Sequence, residues 1–161
     1  MLGGVRIPSK LGLLGHSDAD VLLHALTDAL LGSLALRDIG TLFPDTDPKW
    51  KDADSAMMLG AAYRNVTSKG YLLMNADCVL VCDRPLLSPH SKAIRRNIAR
   101  ILNVQPDRIG LKAKTTEGTQ LALKRKSIAA FAIVLVAGEP GTRSRLRSPT
   151  PAPRPPSPAR P

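Results

Sequence analysis

Two histidines and three aspartates fall within thirteen residues, in His16-Ser17-Asp18-Ala19-Asp20-Val21-Leu22-Leu23-His24-Ala25-Leu26-Thr27-Asp28. Asp20, His24 and Asp28 recur every four residues, which stacks their side chains along one side of a helix. A neutral imidazole is the commonest metal ligand, and a neighbouring carboxylate can ligate beside it or orient it. His16 stands just before the helix, at the end that attracts anions. One reading of the cluster is therefore metal-assisted chemistry. The other is a solvated polar face that carries a histidine.

The elements that must position these residues are legible from pattern. Ser17 is the expected N-cap of the helix, Asp20 completes a capping-box-like pair, and Gly32 is expected to end it after about residue 31. Leu22, Leu26, Ala29 and Leu30 form the apolar stripe of that helix. Residues 3–8 are expected to form a short strand, and Lys10 to Gly15 a glycine-rich loop. Residues 32–54 form a long connection carrying Asp38, Asp45, Asp47, Asp52 and Asp54, with turns favoured at Pro44 and Pro48. Such a connection is either a functional loop presenting carboxylates or a solvated acidic loop.

A second helix is expected from Ser55 to Lys69, stopped by Gly70. Tyr71 to Cys82 alternates as a strand, with Ala76, Cys78, Leu80 and Cys82 on one face. Ser88-Pro89 reads as the N-cap and first position of a third helix, which runs to about Asn103 with Ile94, Ile98, Ile101 and Leu102 facing inward. Residues 108–114 alternate as another strand, and Ser127 to Ala137 reads as an apolar central strand. Strands alternating with helices imply an α/β (α+β) fold: four predicted strands in a sheet with helices on one face. Residues 1–138 are the expected domain, and 139–161, dominated by Pro, Ser, Thr, Ala and Arg, an expected disordered tail.

Composition bounds the function. The chain has 161 residues, 43% of them hydrophobic, enough for one domain with a core. No apolar run reaches the roughly 18 residues of a membrane span, and the first residues lack the pattern of a signal peptide. Net charge is +10, half of it from Arg143, Arg145, Arg147, Arg154 and Arg160. That charge invites a nucleic-acid reading, but 3% aromatic residues leave no stacking platform. Cys78 and Cys82 share a face but sit too far apart for an easy bridge, so they read as reduced core thiols in an intracellular compartment.

Taken together, His16-Ser17-Asp18-Ala19-Asp20 through His24 and Asp28, Asp38-Ile39-Gly40, Phe43-Pro44-Asp45-Thr46-Asp47-Pro48, Ser88-Pro89-His90, Lys112-Ala113-Lys114-Thr115-Thr116-Glu117 and Ser127-Ile128-Ala129-Ala130 resemble the 2-C-methyl-D-erythritol 2,4-cyclodiphosphate synthase family. The resemblance covers roughly residues 2–137. It implies a lyase of the non-mevalonate isoprenoid (terpenoid) pathway. Such an enzyme closes 4-diphosphocytidyl-2-C-methyl-D-erythritol 2-phosphate into the cyclic diphosphate and releases CMP. The substrate's own phosphate attacks, so the enzyme contributes positioning and charge neutralisation. The resemblance also implies a mixed sheet, a homotrimer with sites between subunits, a zinc ion as Lewis acid, and Mg or Mn as a second divalent cation.

Residue by residue, it implies zinc binding at His24 and phosphate contacts at His16 and Ser17, with His16 and Thr115 stabilising the transition state. Asp38, Ile39 and Gly40 would bind the methylerythritol hydroxyls, and Phe43, Pro44, Asp45, Thr46 and Asp47 would form a second substrate loop. Lys114, Thr115, Thr116 and Glu117 would contact the cytidine diphosphate, with Glu117 reaching the second cation.

Departures from the family are local. The family's opening strand bears an Asp-x-His pair that supplies two zinc ligands. This sequence begins after that strand, so a truncated or misplaced start is expected. Leu86 replaces a frequent lysine in the expected cytidine pocket, and Leu123 to Ser127 replace a glycine-rich segment. Lys124 stands in for a family arginine, and Leu121 for an aromatic residue. The Pro-Lys-Trp-Lys and Ser-Ile-Ala-Ala segments resemble plastid-type members, which implies a plastid stroma in a eukaryote and a cytoplasmic location otherwise. The competing readings are a non-catalytic member of the family and a basic nucleic-acid-binding module.

Overall fold

The computed structural model of the chain describes residues 1–9, 12, 17–50, 53–117 and 127–138. His16, Leu121, Lys124 and the 139–161 tail lie outside these residues. The first helix, α1, spans Val21–Gly32. It is followed by a short α2, Ile39–Leu42, then a 3-10 turn at Pro48–Trp50 and α3, Ser55–Thr67. Strand β1 (Tyr71–Val81) leads through a 3-10 turn at Ser88–His90 into α4 (Ser91–Leu102). Strands β2 (Ile109–Lys114) and β3 (Ala129–Gly138) complete the order.

The sheet is mixed, in the order β2-β1-β3. β1 runs parallel to β2, from Ala76↔Ile109 to Val81↔Lys114, and antiparallel to β3, from Tyr71↔Gly138 to Val81↔Ala129. A parallel pair needs a crossover, and α4 supplies it. A bulge interrupts β1 between Leu73 and Asn75. Beside it, the Leu73 N–H donates to the Tyr63 hydroxyl at 3.2 Å, and the Leu73 carbonyl accepts from Arg108 Nη1 at 2.8 Å.

One face of the sheet buries Leu73, Ala76, Cys78 and Leu80 against the helices. Leu22, Leu26 and Leu30 of α1, Leu59 and Val66 of α3, and Ile94, Ile98 and Leu102 of α4 complete a single core. The expected α+β class, mixed sheet and one-sided helix layer are therefore present. The number of strands differs, with three among the described residues.

The segment at residues 3–8 is not a strand. Leu2 and Val5 form an isolated bridge, closed by Leu2 N–H to Val5 O at 2.9 Å and Val5 N–H to Leu2 O at 3.1 Å. Gly3 (φ 59°) and Gly4 (φ 70°) make the turn between them. A Cβ on Gly3 would sit 2.4 Å from Ile94 Cγ2, so only glycine fits against α4.

The buried carboxylate of Asp20 holds this turn. Its Oδ1 accepts from Gly3 N at 2.9 Å and Leu23 N at 3.1 Å, and its Oδ2 from Gly4 N at 2.7 Å. Asp20 is thus the N-cap of α1, in place of the expected Ser17. Ala19 sits at φ 56°, outside helical geometry, and forces the later start. Asp20 also leaves the exposed polar face on which its four-residue spacing placed it: a side chain that caps a helix turns back over the first turn.

At the other end, Gly32 is the last helical residue, and Ala35 (φ 52°) takes the left-handed turn expected at the glycine. Gly70 does reverse the chain after α3, at φ 79°. Ser88 caps nothing: Leu87 precedes the 3-10 turn without a side-chain bond, and α4 begins only at Ser91. Ile94, Ile98 and Leu102 face inward as expected, whereas Ile101 is half-buried.

β3 is an outer strand of the three, not the central one; β1 is central. Ala130, Ala132, Val134 and Val136 pack toward the core, but Phe131, Ile133 and Leu135 stand out on the opposite face at 61%, 75% and 62% exposure. A run apolar on both faces reads as buried on both sides, and here only one is covered.

Cys78 and Cys82 are free and buried, as expected. Burial, with the neighbouring Asp77 charge, pushes the Cys78 thiol up to about 11. It therefore stays protonated and unreactive at neutral pH.

Replacing Asp20 by Ala leaves three N–H donors without their acceptor, and urea unfolding should register a loss of roughly 2–4 kcal/mol. Alkylation with iodoacetamide at pH 8 should label Cys78 only after denaturation, as read by mass spectrometry of the folded and unfolded chain.

Candidate active site

α1 carries its three spaced polar residues into three different tasks. Asp20 turns inward, as above. Asp28 Oδ1 accepts from Ile39 N at 2.8 Å and so fastens the start of α2 to α1. Between them, His24 faces a cavity of about 390 Å3 lined by Ser17, Ile39, Gly40, Phe43 and Asp45. Six of the sequence-expected residues thus meet in one place. Ala19, Val21, Trp50 and Met58 also line it and were not expected. The sole tryptophan of the chain, set in an aspartate-rich connection, was the available signal for Trp50.

The imidazole of His24 is held by hydroxyls. Its Nε2 lies 2.8 Å from Ser55 Oγ and 3.2 Å from Ser17 Oγ. Ser55 in turn donates its hydroxyl to Asp18 Oδ1, and its N–H reaches Asp18 Oδ2 at 3.3 Å. Ser55 has one hydroxyl proton. With that proton directed at Asp18, the Ser55 oxygen meets the Nε2–H tautomer of His24 as an acceptor. Ser55 and Asp18 therefore orient His24, a role that the sequence pattern did not single out. Ser55 is the first residue of α3, capped by Asp54 Oδ1 accepting from Ala56 N at 2.8 Å, and this places it over α1.

The connection between α1 and α3 is ordered by its own carboxylates. Asp38 caps α2, accepting from Thr41 N at 2.9 Å and Thr41 Oγ1 at 2.7 Å. The Thr41 hydroxyl bond, then its N–H bond, holds the exposed Asp38 carboxyl below its usual range. Asp47 pairs with Lys49 at 2.8 Å, and this bond lowers its carboxyl likewise. Phe43 and Trp50 meet edge to face, centroids 4.9 Å apart at 88°, with Lys49 Nζ 4.9 Å from the Trp50 ring. Phe43 and Trp50 both line the cavity, so the pair forms an aromatic part of its wall.

Asp38, Pro44, Thr46 and Asp47 belong to this loop without lining the cavity. Lys114, Thr115, Thr116 and Glu117 lie at the end of β2 and are not part of the cavity wall in a single chain.

As a metal site, the cavity supplies one nitrogen donor. His24 Nε2 points at two hydroxyls, and in the tautomer that carries its proton on Nδ1 it offers one lone pair to a cation. Among the described residues, however, no three His, Cys, Asp or Glu side chains gather as a ligand set. A catalytic zinc takes three protein ligands, so the described donors do not complete one.

Residues 1–137 match the model of the YgbB family. The chain is 52% identical, over 136 residues, to the 2-C-methyl-D-erythritol 2,4-cyclodiphosphate synthase of Geobacter sulfurreducens; the match covers 84% of this chain and 87% of that one. It is likewise 52% identical over 136 residues to the enzyme of that name from Moorella thermoacetica, covering 84% and 83%. Among solved structures, a 2C-methyl-D-erythritol-2,4-cyclodiphosphate synthase in a CDP-bound form superposes with a TM-score of 0.79 at 47% identity, covering 85% of this chain and 89% of that one. The motifs clustered around His24 and the fold that gathers them thus have relatives along nearly their whole length, and the chain belongs to the YgbB family.

Proposed function

We propose that this chain is a cyclodiphosphate synthase of isoprenoid biosynthesis, a lyase that converts 4-diphosphocytidyl-2-C-methyl-D-erythritol 2-phosphate into 2-C-methyl-D-erythritol 2,4-cyclodiphosphate and CMP. The observation that carries this reading is the His24 cavity, walled by Ser17, Ile39, Gly40, Phe43 and Asp45, in a chain about half identical to enzymes of that name. In the reaction an oxygen of the 2-phosphate bonds to the β-phosphorus. The bond from that phosphorus to the CMP oxygen breaks, and CMP leaves with the electron pair.

No protein nucleophile is needed. The chain's task is to hold the substrate folded so that attacking oxygen and phosphorus meet, and to neutralise the crowded charge. Ser17 offers a hydroxyl to phosphate beside His24. Ile39 and Gly40, held by Asp28, present the start of α2 to the polyol, with Asp38 beside them. Phe43 and Trp50 supply an apolar part of the cavity wall.

A divalent cation belongs to the proposal, with zinc at His24 and Mg or Mn at Glu117. His24 fits as one ligand only, so no step is assigned to the metal. When bound, such a cation would supply Lewis-acid neutralisation of the diphosphate.

The same reading takes the chain as a homotrimer. Phe131, Ile133 and Leu135 form an open apolar ridge on the uncovered face of the sheet, and such a face seeks a partner. Assembly through it would bring Lys114, Thr115, Thr116 and Glu117 of one copy toward the His24 cavity of another, supplying the nucleotide side that a single cavity wall lacks.

Purified protein given the diphosphocytidyl substrate should release CMP; a parent chain that releases none overturns the reading. His24→Ala should lower CMP release by about 100-fold or more while circular dichroism stays unchanged. Ile133→Asp should lower the mass seen by light scattering from three chains to one, and a parent of single-chain mass removes the trimer.

A further inference from the structure

We infer that Asp83 is a positioning residue for the nucleotide end of the site, acting through Thr116; the inference rests on the synthase reading above. β1 and β2 are parallel and paired up to Val81↔Lys114, so the chain leaves both strands at the same end of the sheet. Asp83 follows β1 by two residues and Thr116 follows β2 by two. The last backbone bond across this gap runs from Cys82 N–H to Lys114 O at 2.8 Å. Beyond it the ladder stops, and the Asp83 carboxylate takes over. Its Oδ1 accepts from Thr116 N at 2.8 Å and its Oδ2 from Thr116 Oγ1 at 2.7 Å.

This two-point grip joins residues 33 apart in sequence. Hydrogen bonds to a carboxylate are the stronger kind, and two at once fix direction as well as distance. They act on a pivot. Thr116 is buried, at 6% exposure, while Thr115 before it and Glu117 after it are exposed. Glu117 sits at φ 50°, in the left-handed region that a glutamate adopts only when its surroundings impose it. Clamping Thr116 therefore sets where the side chains of Thr115 and Glu117 point. Those two residues, with Lys114 and Thr116 itself, are the ones that the proposed reaction assigns to the nucleotide diphosphate and its cation. Asp83 touches neither substrate nor metal on this account. It determines the geometry of the residues that do, as a supporting group for a binding segment that is otherwise only a strand end.

The test uses the full chain and CDP as the probe, with CDP affinity read by calorimetry and turnover by CMP release. Asp83→Ala should raise both the Kd for CDP and the KM of the substrate by about tenfold or more, since it removes two charge-assisted bonds that order the segment. Asp83→Glu keeps a carboxylate acceptor for both donors and should raise the two constants less than Asp83→Ala does. Adding Thr116→Val to Asp83→Ala should raise KM by less than the product of the two single effects, because both changes open the same clamp. If Asp83→Ala does not fold, Asp83→Asn keeps the shape and one acceptor, and should show a smaller rise in the same two constants. An Asp83 variant that melts earlier but leaves CDP Kd and KM within about twofold makes the grip merely structural and overturns the inference alone. A parent that neither binds CDP nor releases CMP overturns the synthase reading and the inference together.

Discussion

A single buried carboxylate organises the N-terminal half of this protein. Asp20 has no solvent exposure, and its oxygens accept from three backbone N–H groups on two pieces of chain, the Gly3-Gly4 turn and the first turn of α1. A buried carboxylate is tolerated only when donors surround it. The structure meets that demand with a turn whose residues must be glycine, packed against Ile94 of α4. Asn97 strengthens the same junction by donating Nδ2–H to the Gly3 carbonyl at 2.8 Å. The start of the chain, α1 and α4 are thereby locked around one charge, and α1 is fixed in rotation as well as in place.

That fixed rotation is what makes the cavity. With Asp20 turned inward, His24 one turn later falls at the boundary between core and solvent, and Asp28 one turn further reaches α2. The connection between α1 and α3 is then flanked by two ties, Asp28 on Ile39 near its start and Asp18 on Ser55 at the first residue of α3. Its aspartates cap and brace the loop, so that Ile39, Gly40 and Phe43 meet His24. Polar residues that could have been solvated decoration are structural ties, and the chemistry is left to the few groups that remain turned toward the cavity.

Much of this was legible in the sequence, and the failures have physical causes. The family resemblance, the α+β class, the helix layer and the meeting of Ser17, His24, Ile39, Gly40, Phe43 and Asp45 all follow from motif and periodicity. The choice of cap did not, because Ser17, Asp18 and Asp20 are all good caps, and the left-handed Ala19 that decides between them leaves no signal in composition. β3 was misplaced because apolar alternation on both faces says that both faces want cover, not that the same chain provides it. The Asp83 grip on Thr116 was invisible for a different reason: it depends on the parallel register of β1 and β2, and on no local pattern.

The edge-to-face contact between Phe43 and Trp50 carries one more consequence. The molecule has a single indole, and it sits against the wall of the one cavity that matters to the proposed chemistry. Its light emission responds to the polarity and packing around that ring alone, with no other indole to dilute it. Occupancy of the cavity is thereby coupled to an intrinsic optical signal, built in by the aromatic wall itself.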